Sequence, residues 1–212
     1  MGRDQIAHVL SHATSQMFHT GTPIFHEGDE AERFFMLLDG YIRVARTTAD
    51  GHQVILLHVP PGQLFGIAKA LGRTTYPATA TAAEDCVVLC WQTRLWDSFV
   101  ETLPGFGTAS YRTTGERMSE MQNTILAMAT QHVEQRVAAS LLRLVQHGGK
   151  KVGDAVEIAF PITRQNISEM TGTTLHTVSR LLSAWEREGV VDSRRKRIRV
   201  LDPHRLLVLS GA

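Results

Sequence analysis

Residues Thr163–Gly189 read TRQNISEMTGTTLHTVSRLLSAWEREG, and this stretch decides the structure of the C-terminal part of the chain. Thr163 is a favourable N-cap for a first short helix, because its hydroxyl can accept a hydrogen bond from the first helical turn. Gly172 then allows a tight turn, since glycine enters the left-handed backbone region without steric cost. Thr173 or Thr174 caps a second helix, whose apolar residues recur at helical spacing: Leu175, Val178, Leu181, Leu182 and Trp185. The pattern predicts a helix-turn-helix.

The second helix keeps polar side chains on the faces that its apolar residues do not occupy. In its first two turns these are His176, Thr177, Ser179 and Arg180. The corresponding turns of a helix-turn-helix reach base edges in the major groove of DNA, where arginine bonds guanine and hydroxyls bond bases or phosphates. The alternative is an ordinary helical hairpin with a solvated polar face. The turn glycine, the small Ser168 and the spacing of the apolar positions favour DNA binding.

A basic β-hairpin is predicted directly after the second helix. Gly189 ends the helix, Val190 and Val191 begin a strand, and SRRKR at 193–197 forms a turn before a second strand at Ile198–Leu201. A charge run is usually only a solvated surface, but beside a recognition helix it suits phosphate contact. The sequence therefore predicts a wing.

Charge is distributed unevenly along the 212 residues. From Pro161 to the end, nine Lys and Arg stand against five Asp and Glu, a formal charge of +4, whereas the whole chain carries only +1. The near-neutral total therefore conceals a basic C-terminal module, which suits binding to DNA.

The composition excludes several classes of protein. The length allows two small domains with separate cores. No run of about 18 apolar residues predicts a membrane span and no signal-peptide pattern is found, so we expect a cytoplasmic protein with no membrane partner. Without a Walker loop, a Gly-x-Gly-x-x-Gly helix start or a nucleophile elbow, we expect neither an enzyme nor a metal site. The two cysteines, Cys86 and Cys90, are expected to be buried structural thiols, and their number excludes a four-cysteine iron–sulfur cluster.

The first hundred residues alternate between glycines and short apolar runs, namely PIFH, FFMLL, YIRVAR, QVILLHV and QLF. Strands of this length, separated by turn signals, predict a small roll or barrel. The segment FFMLLDGYIRVAR predicts a hairpin that turns at Asp39 and Gly40, and a second turn is expected at 49–51. Strands at Thr79–Thr81 and Cys86–Gln92 complete the set.

Three helices are predicted between these strands and the helix-turn-helix: a short one over Arg94–Leu103 that ends before Pro104, a long one over Thr108–Thr130, and one at about Val133–His147. The long helix carries apolar residues at the spacing of a coiled-coil seam: Met118, Met121, Ile125 and Met128. Periodicity alone leaves open whether this methionine stripe packs on the same chain or on a second copy. Because helix-turn-helix proteins commonly bind two-fold DNA sites as dimers, we predict a homodimer interface.

The glycine-punctuated roll, the long helix and the winged helix-turn-helix together resemble the CRP/FNR superfamily of bacterial transcription regulators. The resemblance covers nearly the whole chain. Its strongest local matches are GDEAERFFMLLDGYIRV at 28–44, the run Pro60–Phe65, and TRQNISEMTGTTLHTVSRLLSAWE at 163–186.

The resemblance implies an α+β chain in three parts. These are a β-roll sensor domain of the cyclic-nucleotide-binding type at 1–107, a dimerisation helix at 108–130 and a winged helix-turn-helix domain at 131–212. It also implies a homodimer that binds a palindromic site in double-stranded DNA and contacts RNA polymerase.

Residue roles follow from the same resemblance. Arg164 is expected to contact phosphate and Arg180 to contact guanine. The glutamate usual in the superfamily is His176 here, and the operator sequence stays open because a neutral imidazole cannot replace a carboxylate that accepts from cytosine. The implied DNA-binding residues are Thr163, Arg164, Thr174, His176, Thr177, Ser179, Arg180 and Arg195.

The implied effector pocket consists of Phe65, Gly66, Ile67, Ala68, Tyr76, Ala78, Thr79 and Gln122. Cyclic-nucleotide binders of the superfamily hold the ribose with a glutamate and the cyclic phosphate with an arginine. Here Ile67 replaces the glutamate, and Tyr76 or Pro77 replaces the arginine, so we do not expect cyclic AMP as the effector. An FNR-type iron–sulfur cluster is not expected either, because the N-terminal cysteines of that type are missing from this sequence.

The remaining resemblance is to the nitrogen-oxide-responsive branch (NnrR/DNR-like), which implies sensing of nitric oxide through haem. Candidate axial ligands are His8, His12, His19, His26, His52 and His58. A lone histidine is more often a surface residue than a ligand, so the cofactor stays open. Two alternatives remain: an effector-independent or architectural DNA-binding protein with a vestigial sensor domain, and a ligand-binding module whose basic wing meets a protein partner.

Overall fold

The computed structural model describes residues 2–211, apart from the side chain of Pro104. The chain forms two compact units. One contains the residues up to Arg46 together with Leu57–Met121, and the other contains Thr47–Leu56 together with the residues from Gln122 onward. Both units combine helices with antiparallel sheet, so the predicted α+β class is confirmed.

The first unit is built mainly from short strands. In chain order the elements up to the end of the long helix are α1 (Arg3–Ser11), β1 (Thr14–Phe18), β2 (Pro23–Phe25), β3 (Arg33–Asp39), β4 (Ile42–Thr47), β5 (Gln53–Val59), β6 (Leu64–Phe65), β7 (Thr79–Ala82), β8 (Cys86–Gln92), α2 (Trp96–Thr102) and α3 (Pro104–Thr130). The start of β5 and the part of α3 from Gln122 belong to the second unit. Two four-stranded sheets, in the orders β1-β8-β3-β6 and β2-β7-β4-β5, form the predicted roll. Their facing sides bury one apolar core, which contains Leu37, Ile42, Phe65 and Val88.

The predicted hairpin at Asp39 and Gly40 is wrong. β3 pairs with β8 and β6, whereas β4 lies in the other sheet beside β7. Gly40 has φ +85°, and a Cβ there would lie 2.5 Å from the carbonyl oxygen of Asp85 and 2.7 Å from Cys86 Sγ. The glycine is therefore needed for close passage of the backbone under β8, where the chain crosses from one sheet to the other.

Other turn and core predictions are confirmed. The second turn is closed by hydrogen bonds from Gly51 N to the Thr48 carbonyl and from Thr48 N to the His52 carbonyl, both 2.9 Å. Cys86 and Cys90 are free thiols buried in the core of the roll. Burial raises the pKa of the Cys86 thiol, which keeps it protonated and unreactive.

The predicted helix Arg94–Leu103 is shorter than expected. A 3₁₀ turn occupies Thr93–Leu95, and α2 then covers Trp96–Thr102. Pro104 begins α3 rather than only ending the preceding helix, because a residue without a backbone N–H is tolerated at the first helical position. The long helix therefore starts four residues before the predicted Thr108.

The second unit contains, after the end of α3, the elements α4 (Val133–Gly148), β9 (Gly149–Val152), β10 (Ala155–Ile158), α5 (Arg164–Thr171), α6 (Leu175–Arg187), β11 (Val191–Arg194), β12 (Arg197–Val200) and α7 (Pro203–Leu209). The strands form one antiparallel sheet in the order β11-β12-β10-β9. Fully buried side chains of α4, α5 and α6, such as Leu141, Ile167 and Leu182, supply its apolar core.

Candidate nucleic-acid interface and sensor interior

Both helices of the predicted helix-turn-helix begin at a threonine cap. Thr163 Oγ1 accepts from the backbone N–H of Asn166 at 3.0 Å, and the Asn166 side chain accepts in return from Thr163 N at 3.0 Å. Thr174 Oγ1 accepts from Thr177 N at 3.1 Å, which settles the second cap on Thr174 rather than Thr173. Between the helices Gly172 has φ +61°, the left-handed conformation that its sequence position predicted.

The two helices pack through a small apolar core. Ile167 of α5 and Val178, Leu182 and Trp185 of α6 are almost completely buried. The cost of burying small polar residues of α5 is offset because their hydroxyls bond backbone carbonyls of their own helix: Thr171 Oγ1 donates to Ile167 O at 2.7 Å. This packing buries one face of α6 and leaves the opposite face exposed.

Arg164 ties α5 to α6. Its Nη2 lies 3.0 Å from Glu186 Oε1, and its Nη1 donates to Ser183 Oγ at 3.3 Å. The two charged side chains remain 30% and 29% exposed, so solvent screens the pair and it contributes at most about 1 kcal/mol. The guanidinium that sequence reasoning assigned to DNA phosphate is thus already engaged by a carboxylate.

The exposed face of α6 carries the predicted base-reading residues on its first turns. The hydroxyls of Thr174 and Thr177 lie 2.9 Å apart and hydrogen-bond each other. His176 and Arg180 are exposed, and Ser179 is half-buried. Within residues 2–211, Arg180 has neither a hydrogen bond nor an ion pair, so its five donors are available to another molecule.

The predicted wing is present as the hairpin of β11 and β12. Its strands pair Arg194 with Arg197, so the turn consists of the two residues Arg195 and Lys196. Both have positive φ, 45° and 66°, which costs a residue with a side chain roughly 1–2 kcal/mol each. The carbonyl of Lys196 accepts from Ile162 N at 2.8 Å, which fixes the turn beside the start of α5.

Each arginine on the strands of the wing has a carboxylate of the same domain beside it. Arg194 Nε lies 2.9 Å from Asp192 Oδ1, Arg197 Nη1 lies 3.6 Å from Glu157 Oε1, and Arg199 also pairs with Glu157. In the part of the chain that the structure describes, neither turn residue has an ion pair or a side-chain hydrogen bond. We call this pair, Arg195 and Lys196, the wing tip.

The predicted effector residues mostly belong to the core of the roll. Phe65, Ile67, Ala68, Tyr76 and Ala78 are buried, and Phe65 is only 1% exposed. Gly66 (φ +65°) lies so close to Phe35 that a Cβ would come within 2.9 Å of the ring, and Thr79 is half-buried. Gln122 is exposed on α3 and belongs to the second unit.

Aromatic rings fill the interior of the roll around these residues. The rings of Phe25 and Tyr76 stack with centroids 3.8 Å apart, and those of Phe35 and Phe65 stack at 5.0 Å. The Tyr76 hydroxyl donates to the Arg33 carbonyl at 2.7 Å, and burial raises the pKa of this phenol. The polar end of Tyr76 is therefore already satisfied by the protein itself.

Arg117 is a partly buried cation that sequence reasoning missed. From α3 its Nη2 donates to the carbonyl of Leu64, the residue before Phe65, at 2.6 Å. Burial lowers the pKa of its guanidinium to about 10, which leaves it charged at neutral pH. From its position next to Met118, the sequence predicts only an exposed polar residue on an amphipathic helix.

The methionine stripe is exposed in the single chain. Met118, Met121, Ile125 and Met128 are 60%, 50%, 65% and 44% exposed. Met128 is also close to the helix-turn-helix, because its Cε lies 3.5 Å from where a Cβ of Gly172 would stand. Met118, Met121 and Ile125 thus present a hydrophobic surface, while Met128 partly packs on its own chain.

The candidate haem ligands do not form one cluster: His8 and His12 lie beside each other, with ring centroids 5.0 Å apart, and the other four come from other segments of the chain. Five of the six histidines are exposed, and His19 and His52 lie 3.5 Å from the carboxylates of Asp85 and Asp50. Burial, helped by the charge of Arg43, lowers the pKa of His58 to about 4, so its imidazole is neutral. Among the described residues, no group of three or more His, Cys, Asp or Glu side chains could hold a metal ion. Likewise, none of the helices described is long and apolar enough to cross a membrane.

Comparison with known proteins matches both units to described families. Residues 15–102 match the cyclic nucleotide-binding domain, and residues 135–209 match the Crp-like helix-turn-helix domain. The structure of FixK2 from Bradyrhizobium japonicum shares the fold, with a TM-score of 0.82 at 22% identity over 94% of this chain and 98% of that one.

Two relatives that are about equally similar to this chain in sequence have names that describe different roles. The chain is 27% identical to the cyclic AMP receptor protein of Thermus thermophilus, over 89% of this chain and 84% of the relative. It is 26% identical to the nitrogen fixation regulation protein FixK of Bradyrhizobium diazoefficiens, over 92% and 81%. These similarities do not select an effector, but the two domain matches, in this order along one chain, establish the class: the protein belongs to the CRP/FNR family of DNA-binding transcription regulators.

Proposed function

We propose that this regulator binds a palindromic operator as a homodimer and reads bases principally through Arg180. The observation that carries the proposal is the unpaired, exposed guanidinium of Arg180 on the free face of α6, opposite the buried Val178 and Trp185. Arginine is the side chain that most often contacts guanine in the major groove, because its planar fork matches O6 and N7. Capping by Thr174 and packing on α5 hold this side chain on a rigid helix.

Replacing Arg180 tests the base-reading role. Arg180→Ala should weaken binding to the operator by about 1–3 kcal/mol and relax the preference at one base pair in each half-site. Fluorescence anisotropy with the operator and with single-base variants measures both effects. Arg187→Ala is the matched control, because it removes the same charge from the exposed last turn of α6. An Arg180→Ala protein that discriminates between sequences as the parent does would disprove the assignment.

The homodimer is supported by the exposed apolar part of the methionine stripe. Met118, Met121 and Ile125 are at least half exposed and follow one another at seam spacing. A second copy of α3 would bury these side chains and place two copies of α6 about a two-fold axis. Paired recognition helices suit a palindromic operator.

A carboxylate in the stripe should separate the protomers without unfolding them. Ile125 is 65% exposed in the single chain, so Ile125→Asp leaves the fold intact but would bury an unpaired charge at the dimer interface. Sedimentation at micromolar concentration should show monomers, and affinity for the palindrome should fall sharply. Asn123→Asp adds the same charge at an exposed position of α3 and should remain dimeric. A parent protein that is itself monomeric under these conditions would refute the interface.

We infer that the effector is not cyclic AMP. The predicted pocket offers Ile67 and Tyr76 where a ribose phosphate needs a carboxylate and a cation, and the Tyr76 hydroxyl is bonded to the Arg33 carbonyl. An anionic phosphate buried among such groups would lack compensating charge.

Cyclic AMP at millimolar concentration should therefore change neither the melting temperature nor operator affinity. A ligand that binds the folded state must raise its stability by mass action, so differential scanning fluorimetry detects binding directly. Operator DNA in the same assay provides the positive control. A saturable rise in melting temperature with cyclic AMP would overturn this inference.

Nitric oxide acting through haem is the effector that the resemblance to the nitrogen-oxide branch favours. The roll interior offers little support for it, since stacked Phe25, Phe35, Phe65 and Tyr76 occupy the space that a macrocycle would need. That packing favours a second candidate, an effector-independent regulator with a vestigial sensor domain. Haem uptake with a Soret band that moves with nitric oxide supports the first, and failure to take up haem supports the second.

Two further parts of the proposal come from the family. We propose that the sensor domain, the dimerisation helix and the DNA-binding domain occupy 1–107, 108–130 and 131–212. We also propose that the DNA-bound dimer contacts RNA polymerase, which a pull-down of purified polymerase on operator DNA tests directly.

A further inference from the structure

We propose that the wing tip, Arg195 and Lys196, is a second DNA-reading element, which recognises a narrow, A·T-rich minor groove beside the half-site that α6 reads. The inference rests on the proposed function, since it requires α6 to occupy the adjacent major groove. It adds a determinant of specificity that the recognition helix does not provide.

The first argument is the distribution of charge in the wing. Asp192 pairs with Arg194, and Glu157 pairs with both Arg197 and Arg199, so each arginine along the strands has a carboxylate beside it. Arg195 and Lys196 have no such partner within the described residues. A wing that only approached phosphates would gain from every one of its cations. Here the two wing cations that no carboxylate engages are adjacent residues at the end of a narrow hairpin.

The second argument is the backbone of the turn. Two-residue hairpin turns with positive φ at both central positions favour Asn-Gly, because these residues tolerate the left-handed region. This chain instead holds two long cationic residues there, at φ 45° and 66°. Strain of this kind persists where the surrounding structure enforces it, and the hydrogen bond from Ile162 N to Lys196 O fixes this turn. A rigid turn delivers its side chains in a defined direction.

The third argument is the chemistry of the groove. A·T-rich DNA has a narrow minor groove with enhanced negative potential, which attracts inserted arginine and lysine side chains. Guanine places an amino group in that groove, whereas adenine and thymine present only acceptors. The link through Ile162 places the tip next to Thr163 and the first turn of α5, on the DNA-binding unit itself. Two free cations on a narrow rigid support match this target.

The test uses the full-length protein and three DNA duplexes with identical half-sites. Their flanks contain A·T pairs, G·C pairs or inosine·C pairs. Inosine lacks the amino group of guanine, so inosine·C presents the major-groove edge of G·C and the minor-groove edge of A·T. The parent protein should bind the A·T and inosine·C flanks about tenfold more tightly than the G·C flank.

The double variant Arg195→Asn, Lys196→Gly removes both cations and supplies the residues that this turn prefers. It should fold with a higher melting temperature, bind all three duplexes with equal affinity, and keep its preference for the half-site. The control variant Lys150→Gln, Lys151→Gln removes two exposed cations from β9, the opposite edge strand of the same sheet, and should keep the flank preference.

Three results would overturn the inference. The parent protein could bind inosine·C flanks as it binds G·C flanks, which would indicate major-groove reading. The double variant could retain the flank preference, or it could lose the same factor on every flank, which would mean phosphate contact alone. Each of these leaves the proposed function standing, because that function fails only if the parent protein does not prefer the palindromic half-sites to unrelated DNA.

Discussion

The packing of α5 against α6 is the constraint on which the DNA-binding surface depends. Ile167, Val178, Leu182 and Trp185 are almost fully buried, and burying side chains of this size stabilises a fold by roughly 1.5–3 kcal/mol each relative to exposing them. Since these residues occupy one face of α6, the other face is necessarily exposed. Gly172 sets the angle at which the second helix leaves the first.

Ion pairs within the DNA-binding domain add to the effect of this packing. Arg164 joins Glu186 across the two helices, and Glu157 and Asp192 hold the strand arginines of the wing. These pairs are partly exposed, so they contribute little to stability, but they decide which cations remain available to another molecule. Arg180 on α6 and the wing tip are among the cations that no carboxylate engages in the described residues, and each lies on a rigid element.

The roll matches the cyclic nucleotide-binding domain in sequence, and our proposal that it does not take cyclic AMP rests on its interior. Stacked Phe25, Tyr76, Phe35 and Phe65 fill that interior. The Tyr76 ring fills part of this interior, and its hydroxyl donates a hydrogen bond to the Arg33 carbonyl. This packing stabilises the roll and supports the proposal that a ribose phosphate is not its ligand.

Local chemistry made the helix-turn-helix and the wing predictable from sequence. Caps, a turn glycine and helical spacing all act within a few residues, so Thr163, Gly172 and the wing hairpin were located correctly. The predicted wing turn at 193–197 was too long, since only Arg195 and Lys196 lie outside the strands. The hairpin at Asp39 and Gly40 was mispredicted because a turn signal does not say which strands pair. That choice depends on the distant Asp85 and Cys86, against which Gly40 lies.

Weak local signals explain what sequence reasoning missed. α1 contains no buried residue, and the exposed strand β9 carries little of the alternation that marks a strand. The pairs Arg164–Glu186 and Arg197–Glu157, and the hydrogen bond from Arg117 to the Leu64 carbonyl, join residues far apart in the chain, and no local pattern encodes them.

Selection of binding sites from random duplex DNA tests the central claim most directly, because it examines base reading and two-fold symmetry together. The account predicts a palindrome with a guanine at the same position of each half-site and half-site centres one helical turn apart, about 10 base pairs. A single unrepeated half-site, or no enriched sequence at all, would contradict it.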